Sequence, residues 1–446
     1  MNRDIYNHLK EWKKSPGRKP LIIRGARQVG KTHILKEFGE KEYEDLFYLN
    51  FEENPDLDEL FSGSLEPKRI IDLLSVHFQS SIQPVKHLII FDEIQSSNNA
   101  LNALKYFNEK ANDYHIICAG SLLGIKLSKP RSFPVGKVNL MNLYPLSFPE
   151  FLDAVSRTEL RELIETQTDI DPFPLMFHNE LNELLRLYYV IGGMPEVVQR
   201  YIDSNNLLQI RKVQKEIIDT YVLDFAKHAP TSDIPKLSII WDSIPAQLGK
   251  ENKKFIFSAI SKSARAREYE NAIQWLEDAG LIHRVNLVNS ARIPLKGYAD
   301  PGIFKIYYLD VGLLTAMAGI PPSIVTEGER LFNEYKGAFV ENYVLQQLIS
   351  CMEVRAYYWR SEGIAKVDFL VEYWNKILPL EVKSGINPRS KSMSVYMQKN
   401  KPETFYRSSL LNLKKDDQII NIPLYAISLF SKITQFGSVA SIELKP

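Results

Sequence analysis

The chain has 446 residues, of which 45% are hydrophobic and 24% are charged, a composition typical of folded globular domains rather than of disordered or fibrous proteins. The 55 basic and 54 acidic side chains leave a net charge of +1, which argues against a protein that coats nucleic acid over its whole surface but permits a local basic site. This length is too great for one ordinary hydrophobic core, so about two to four domains are expected.

The cysteine content and the apolar runs indicate a cellular compartment. Cys118 and Cys351 are the only cysteines, so a disulfide framework is not expected and a reducing compartment is favoured. No apolar run has the length of a membrane span, and the start of the sequence, Met1–Asp4, lacks the apolar core of a signal peptide. The predicted location is therefore the cytoplasm, without a membrane partner.

The first third of the chain alternates short apolar runs with helical patterns. The apolar runs cover residues 19–24, 46–51, 87–91, 114–119 and 137–143. The helical patterns cover residues 31–38, 67–80 and 100–111. Strands that alternate with helices are typical of a parallel sheet covered on both faces, so an α/β fold is predicted for this part.

The turn after the first apolar run is a candidate phosphate-binding loop. It fits the pattern G-x-x-x-x-G-K-[ST], in which the backbone N–H groups and the following helix N-terminus bind phosphate oxygens. In this pattern Lys31 reaches the β- and γ-phosphates and acts in catalysis, while Thr32 binds Mg²⁺. The predicted ligand is ATP with Mg²⁺, and the residues that bind it are Gly25, Ala26, Arg27, Gln28, Val29, Gly30, Lys31 and Thr32.

Two carboxylates end the third apolar run. A phosphate-binding loop needs a second group for Mg²⁺, and Asp92 is at the expected distance along the sequence. The adjacent Glu93 is predicted to polarise the attacking water as a general base. A small-molecule kinase could use the same loop, but Glu93 after Asp92 favours water as the nucleophile.

The fourth apolar run ends in Ser121, which has two interpretations. At the tip of a neighbouring strand it could contact the γ-phosphate or the lytic water, and it is our candidate catalytic sensor; it could also be a turn or helix N-cap serine. Arg131 is a candidate arginine finger, although a solvated loop arginine is the simpler interpretation.

The later parts of the chain have different patterns. Residues 146–240 contain long helical periods and few strand runs, so a helical subdomain is predicted. Residues 250–310 contain two helical patterns, a glycine and two strand runs, an order typical of a winged helix. A further helical pattern at 337–350 precedes strand runs at 354–359, 365–372 and 377–382.

Several motifs together resemble a prokaryotic AAA-type ATPase family, whose members typically continue into a C-terminal domain of unknown function. They are residues 25–32, Phe91–Gln95, Ala119–Ser121, Tyr144–Phe148 and Gly192–Pro195. The resemblance covers essentially the whole chain and implies a P-loop ATPase core, a helical lid, a winged helix and a nuclease-like domain. The corresponding boundaries in this sequence are 1–145, 146–240, 241–325 and 326–446.

The predicted winged helix contains a basic segment. Between Lys250 and Arg267 there are six basic residues and one acidic residue. In a helix-turn-helix such a segment meets a DNA groove and its phosphates. Winged helices also serve as protein contacts or spacers, and a local positive charge can be a solvated face. DNA and proteins are therefore both candidate partners.

The C-terminal third contains a constellation of acids and a lysine. Asp368 lies on one predicted strand, and Glu381 and Lys383 lie on the same face of the next. Glu341 lies on the preceding helix. The pattern resembles the PD-(D/E)XK nuclease fold, which implies a restriction-endonuclease-like α/β domain with Glu341, Asp368 and Glu381 as metal ligands and Lys383 as a catalytic residue.

Two functions follow from the whole pattern. One is an ATPase that uses Mg²⁺-dependent hydrolysis to drive a conformational change coupled to DNA binding or processing. The alternative is an ATP-dependent regulatory or scaffold protein whose nuclease-like domain binds protein or nucleic acid without cutting it. A homo-oligomer is a further possibility, because AAA-type sites often borrow an arginine from a neighbouring subunit.

Overall fold

The computed structural model describes residues 1–121, 134–250, 253–260, 265–323, 332–363, 365–385 and 391–436. These residues form two compact units. The first unit consists of residues 2–144 and 275–281, and the second unit consists of residues 145–274 and the described residues from 282 onward. Within the described part of the chain, every helix is too short or too polar to cross a bilayer.

The first unit contains a parallel sheet. Its described strands are β1 (Leu21–Arg24), β2 (Asp45–Asn50), β3 (His87–Asp92), β4 (His115–Gly120) and β5 (Asn139–Asn142). Its helices are α1 (Ile5–Lys14), α2 (Lys31–Glu42), α3 (Pro67–His77) and α4 (Asn98–Lys110). All residues of β4, and all of β3 except its first, are buried, as expected of central strands in a sheet. The predicted α/β fold with a parallel sheet is confirmed.

The strand order places several chain turns at one edge of this sheet. The order is β2-β3-β4-β1-β5, and every pair is parallel. Arg24 at the end of β1 pairs with Gly120 at the end of β4, and Asn50 pairs with Asp92 at the end of β3. The carboxyl ends of these strands therefore lie along the same edge, which is where open α/β sheets bind their ligands.

The second unit begins with helices, as the periodicity of residues 146–240 predicts. They are α5 (Phe148–Ala154), α6 (Thr158–Glu165), α7 (Leu175–Ile191), α8 (Pro195–Ser204), α9 (Leu207–His228) and α10 (Ile234–Leu248). The next helix, α11 (Ala266–Asp278), begins in the second unit, and its last residues group with the first unit. The assignment of α5–α10 as a lid stays a prediction.

The second unit contains a sheet that crosses the predicted boundary between a winged helix and a nuclease-like domain. Its strands are β6 (Ile282–Val288), β7 (Ala299–Tyr308), β8 (Ala356–Arg360), β9 (Lys366–Tyr373), β10 (Lys376–Val382), β11 (Phe405–Ser409), β12 (Lys414–Asp416) and β13 (Ile419–Pro423). The order among described strands is β12-β13-β11-β10-β9-β8-β6-β7. Because β6 pairs with β8, one sheet crosses the boundary predicted at residues 325 and 326.

Further helices accompany this sheet. They are α12 (Val311–Met317), α13 (Phe332–Met352), α14 (Lys391–Asn400) and α15 (Phe430–Phe436). Within residues 250–310, α11 is followed by β6 and β7, as the sequence predicts for a winged helix, and a short 3-10 turn at Phe257–Ala259 lies where the first helix is expected. That assignment, like that of a restriction-endonuclease-like fold for the C-terminal strands, stays a prediction.

Two of the sequence motifs meet inside the second unit. The N–H of Leu146 donates to the carbonyl oxygen of Gly193 at 2.6 Å, and the N–H of Gly193 donates to Asp310 Oδ2 at 2.6 Å. Asp310 is fully buried and also accepts from the N–H of Leu313 at 2.9 Å, which caps the first turn of α12. These contacts give the segments around Leu146 and Gly193 a structural role in the described chain.

The close approach at Gly193 predicts a specific loss of stability. A Cβ at this position would overlap the backbone of Leu146, which is not at the end of a flexible side chain. We expect Gly193→Ala to lower the free energy of unfolding by about 3 kcal/mol, because overpacked buried sites must shift backbone atoms. Gly297→Ala is the matched control, since its Cβ would meet only Pro294 at 3.8 Å. Thermal and urea unfolding measure both variants, and equal midpoints would contradict the packing argument.

Candidate nucleotide-binding site

The loop between β1 and α2 has the backbone conformation that its glycines predict. Gly25 has a φ of 154°, and a Cβ there would overlap the carbonyl oxygen of Leu143. Gly30 caps α2 in the left-handed conformation, with a φ of 94°. Side chains are disfavoured in both backbone conformations, so the glycines are required by local geometry. The loop ends directly at the N-terminus of α2, where unpaired N–H groups favour anions.

Lys31 folds back over this loop. Its ammonium donates to the carbonyl oxygens of Gly25 at 3.0 Å and Ala26 at 2.7 Å, and its side chain is buried. Burial lowers the pKa of Lys31 to about 8, although nearby carboxylates oppose the shift. A buried ammonium held only by neutral carbonyls is well suited to exchange them for the oxygens of a phosphate.

Asp92 lies at the centre of a hydrogen-bonded group. Its side chain is buried, and Oδ2 accepts from Thr32 Oγ1 at 2.6 Å and from the hydroxyl of Tyr48 at 2.8 Å. Oδ1 accepts from the backbone N–H of Glu93 at 2.9 Å. The adjacent hydroxyl of Thr32 and carboxylate of Asp92 are hard oxygen donors, the type that Mg²⁺ prefers. The two residues predicted to bind Mg²⁺ are thus brought together.

Tyr48 is a part of this group that the sequence analysis missed. It lies on β2, two residues before Asn50, and strand alternation puts both on the face that Asp92 shares in the neighbouring strand. Lys36 lies 3.9 Å from the centre of the Tyr48 ring. Burial and the hydrogen bond to Asp92 raise the pKa of Tyr48, so its hydroxyl stays protonated and donates. The signal in the sequence was the polar face of β2, which could have indicated a partner for Asp92.

Glu93 has an unusual backbone conformation. Its φ of 47° is left-handed, which is uncommon for residues other than glycine and costs about 1–3 kcal/mol. Glu93 Oε2 accepts from Ser121 Oγ at 3.2 Å and from the side-chain amide of Gln95. The structure therefore brings the predicted base and the predicted sensor into contact. The catalytic role of each stays a prediction, and the candidate arginine finger Arg131 lies outside the described residues.

Arg27 connects this pair to the loop. Its Nε donates to Ser121 Oγ at 3.2 Å, and its guanidinium lies 3.3 Å from Glu52 Oε2. The side chains of Arg27 and Glu52 are 20% and 31% exposed, so the ion pair is reached by solvent. A chain of polar contacts thus runs from the phosphate loop through Ser121 to Glu93.

The acids of the C-terminal constellation lie on neighbouring strands of the second unit. The N–H of Val382, next to Glu381 on β10, donates to Asp368 Oδ2 on β9 at 3.0 Å. Lys383 Nζ lies 3.0 Å from Glu381 Oε1. Burial raises the pKa of Asp368, and the negative charge of Glu341 adds to the shift. Asp368, Glu381 and Lys383 are therefore close together, as their spacing predicts.

Glu341 is engaged differently from the prediction. Its carboxylate lies 2.7 Å from Lys253 Nζ and 3.4 Å from Lys305 Nζ, and it accepts from the hydroxyl of Tyr307 at 2.9 Å. All four side chains are buried. Burial alone would raise the pKa of Glu341, but the two ammoniums hold it well below its usual value. Lys253, one of the basic residues in the predicted DNA-binding segment, is thereby withdrawn from the surface.

The contacts of Glu341 do not match the metal site that the sequence predicts. Among the described residues, no three histidine, cysteine, aspartate or glutamate side chains are arranged to hold a metal ion. The sequence grouped Glu341, Asp368 and Glu381 as such a set. The arrangement differs because Glu341 is directed to two lysines and a tyrosine. The roles of Asp368, Glu381 and Lys383 stay predictions.

Comparison with known families supports an AAA-type domain in the first part of the chain. Residues 17–152 match the model of an AAA domain. The match supports an AAA-type ATPase. Residues 182–323 and 336–427 match two models that are each described as a domain of unknown function, DUF8612 and DUF4143. No curated protein matches the chain at a significant level.

Solved structures that match the chain do so at low sequence identity and with TM-scores below 0.5. The Walker-type ATPase PABY2304 of Pyrococcus abyssi is 15% identical with a TM-score of 0.45, and the match covers 71% of this chain and 95% of that one. The Orc1 protein of Aeropyrum pernix in complex with DNA is 12% identical with a TM-score of 0.31, covering 72% and 94%. The RuvB Holliday junction branch migration motor of Thermotoga maritima is 13% identical with a TM-score of 0.30, covering 68% and 92%.

The lowered pKa of Lys31 predicts pH-dependent nucleotide affinity. Below about pH 8 the ammonium is charged, and above it the proton and its attraction for phosphate are lost. Bound phosphate favours the charged form, so ATP binding near this pH should take up a proton. Calorimetric titration from about pH 7 to pH 9.5, in buffers of different ionisation enthalpy, measures both effects. Lys31→Arg keeps its charge over this range and should remove the pH dependence. Unchanged affinity of the wild-type protein would contradict the prediction.

Proposed function

We propose that the protein binds ATP in the loop of residues 25–32 and hydrolyses it with Mg²⁺. The observation that carries this proposal is the convergence of Lys31, the Thr32–Asp92 pair and Glu93 at the carboxyl edge of β1, β3 and β4. The AAA domain match to residues 17–152 supports the same conclusion. The glycine loop and α2 supply N–H groups for the phosphates.

Each residue has a distinct task in this reaction. Lys31 binds the β- and γ-phosphates, and Thr32 with Asp92 holds the Mg²⁺. When bound, Mg²⁺ neutralises charge on the β- and γ-phosphate oxygens. Glu93 accepts a proton from the attacking water. Ser121 and Gln95 both donate to Oε2 of Glu93 and so orient this carboxylate.

Hydrolysis is further proposed to drive a conformational change linked to DNA. Gly280 belongs to the first unit, and a Cβ there would be 3.4 Å from the backbone nitrogen of Ala26 in the phosphate loop. Two residues later the chain begins β6 of the second unit. A rearrangement of the loop on hydrolysis would act on Gly280 through this contact, and the chain leads from Gly280 directly into β6 of the second unit. Exposed Arg265 and Arg267, in the basic segment, are the candidate phosphate contacts.

The alternative, a second unit that binds nucleic acid or protein without cutting, is favoured by one observation. Glu341 is already neutralised by Lys253 and Lys305, and Lys383 lies against Glu381. Two ammoniums beside a carboxylate disfavour a further cation at that carboxylate. We therefore propose a binding role for the second unit in preference to DNA cleavage.

The ATPase proposal predicts separate losses for binding and for chemistry. Lys31→Ala should lose ATP binding and hydrolysis together, because the buried ammonium contacts the phosphates. Glu93→Gln should keep ATP binding but lower kcat by about 10²- to 10⁴-fold, the usual contribution of a general base. The measurements are ATP affinity and steady-state phosphate release.

Matched controls are available on the surface of the first unit. Lys68→Ala and Glu40→Gln make the same chemical changes at exposed side chains and should behave as wild type. If Lys31→Ala retained wild-type affinity and hydrolysis, the assignment of the loop as the nucleotide site would be wrong.

The DNA proposal is tested by charge reversal. The double variant Arg265→Glu, Arg267→Glu should weaken binding to a labelled duplex at least about ten-fold at low salt and reduce the dependence of affinity on salt. Double reversal at Arg186 and Arg200, which are exposed on helices α7 and α8, is the control for net charge. Equal losses in both double variants would contradict a specific role for the basic segment.

The same preparations distinguish binding from cleavage. Supercoiled plasmid with ATP and Mg²⁺ or Mn²⁺ should stay intact with the wild-type protein. Nicking that depends on the metal and disappears in Lys383→Ala would favour DNA cleavage and contradict the binding role.

A further inference from the structure

We propose that Arg27 is a catalytic residue that contacts the γ-phosphate of ATP, so that each chain supplies its own transition-state arginine. The inference rests on the proposed ATPase function and identifies the cation that acts in that reaction. A transition-state arginine can come from the same chain or from a partner, and here the phosphate loop itself is proposed to supply it.

The reaction requires such a cation. The oxygen of water forms a bond to the γ-phosphorus, the bond from that phosphorus to the bridging oxygen of the β-phosphate breaks, and ADP leaves. The proton of the water goes to the Glu93 carboxylate. Negative charge accumulates on the transferring group and on the leaving oxygen, and a guanidinium that contacts them stabilises this charge without transferring a proton.

The position of Arg27 suits this contact. It lies within the loop, between Gly25 and Gly30, whose N–H groups are the proposed phosphate ligands. Its charge is close enough to Lys31 to contribute to the lowered pKa of that residue. The ammonium of Lys31 is the proposed ligand of the β- and γ-phosphates, so both cations serve the same end of the nucleotide.

The hydrogen bonds of Arg27 lead through Ser121 to Glu93, the residue proposed to polarise the attacking water. Arg27 Nε donates to Ser121 Oγ, and Ser121 Oγ donates to Glu93 Oε2, each at 3.2 Å. In the proposed reaction the γ-phosphate lies between the loop and the water that Glu93 polarises. The guanidinium of Arg27 lies between the same two groups, because Arg27 is part of the loop and donates to Ser121, which in turn donates to the proposed base Glu93.

The ion pair between Arg27 and Glu52 is of a kind that a phosphate can replace. The pair with Glu52 is 3.3 Å long, and both side chains are partly exposed. Such pairs contribute little stability because water screens them. A guanidinium has five N–H donors, so the terminal nitrogens can turn to a phosphate while Nε keeps its bond to Ser121. Ser121 then orients Arg27 and Glu93 together.

Alternative cations in the described part of the first unit have other contacts. Arg3 donates to the backbone oxygens of Val29 and Tyr144, and Lys36 lies over the ring of Tyr48. Arg24 donates to Asn142 on β5. Arg27 differs from them because its guanidinium contacts the group that contains the proposed base.

The test compares hydrolysis, affinity and transition-state trapping. Arg27→Ala should lower kcat by about 10³-fold or more, the usual effect of losing a transition-state arginine. ATP affinity should change less than about three-fold, because the contact strengthens only in the transition state. ADP with aluminium fluoride and Mg²⁺, which imitates the transferring phosphate, should be retained on gel filtration by the wild-type protein and lost from Arg27→Ala.

Two further variants make the result specific. Arg27→Lys keeps the charge but not the forked donors, and should recover only a small part of the rate. Arg186→Ala, an exposed arginine of the second unit, should retain wild-type kcat and trapping. Unchanged thermal unfolding of Arg27→Ala and Arg27→Lys shows that the loop still folds.

Mixing inactive chains decides whether the arginine acts in its own chain. A mixture of Arg27→Ala and Lys31→Ala should stay inactive, because no chain contains a complete site. Restored hydrolysis would mean that the arginine crosses between subunits, and would overturn the proposal. Wild-type kcat and trapping in Arg27→Ala, or equal losses of affinity and rate, would overturn it too. Absence of ATP hydrolysis by the wild-type protein would instead contradict the proposed ATPase function, and full hydrolysis by Lys31→Ala would contradict the assignment of the loop as the nucleotide site; both results are distinguishable from a failure of the arginine proposal alone.

Discussion

The parallel arrangement of β1, β3 and β4 is the constraint on which the candidate site depends. Parallel strands all present their carboxyl ends at one edge, so residues far apart in the sequence meet there without long loops. Lys31 follows β1, Asp92 ends β3 and Ser121 follows β4. Antiparallel pairing would have sent alternate strand ends to opposite edges and separated these groups. The buried apolar strands thus do two things at once: they form the core and they fix the spacing of the polar residues.

At this edge of the sheet, the polar side chains of the candidate site form hydrogen bonds with the loop and with one another. The ammonium of Lys31 donates to loop carbonyls, Thr32 and Tyr48 donate to Asp92, and Ser121 donates to Glu93. A buried polar group without a partner costs free energy, so the site is held in order by these contacts. In the proposed reaction, phosphate oxygens would replace the loop carbonyls at Lys31, and a cation would bind beside Thr32 and Asp92. Under this proposal, nucleotide binding exchanges existing contacts instead of ordering a disordered loop, which keeps the cost of organising the site low.

The second unit uses buried charge in another way. Glu341, Lys253, Lys305 and Tyr307 form a buried group that joins the segment before α11, strand β7 and helix α13. Removing one member of such a group leaves an unpaired buried charge, which is strongly destabilising. The same contacts occupy a carboxylate that the sequence assigned to a metal. Neutralisation of a buried carboxylate by lysines of the same chain competes with the binding of an external cation. Lys253 and Lys305 pair with Glu341, the carboxylate for which the nuclease resemblance implies a metal ion.

The sequence by itself determined the parallel α/β core, the phosphate loop and the acids at the end of β3, because these depend on local patterns: buried strands, glycines and residues at strand ends. It also predicted the helices of residues 146–240 from their periodicity. The tertiary structure alone decided the contacts between distant segments. Tyr48 with Asp92, Arg27 with Ser121 and Lys253 with Glu341 each join different elements, and no spacing along the chain encodes them. The eight-stranded sheet is of the same kind, since β6 pairs with β8 although β7, α12 and α13 of the described chain lie between them.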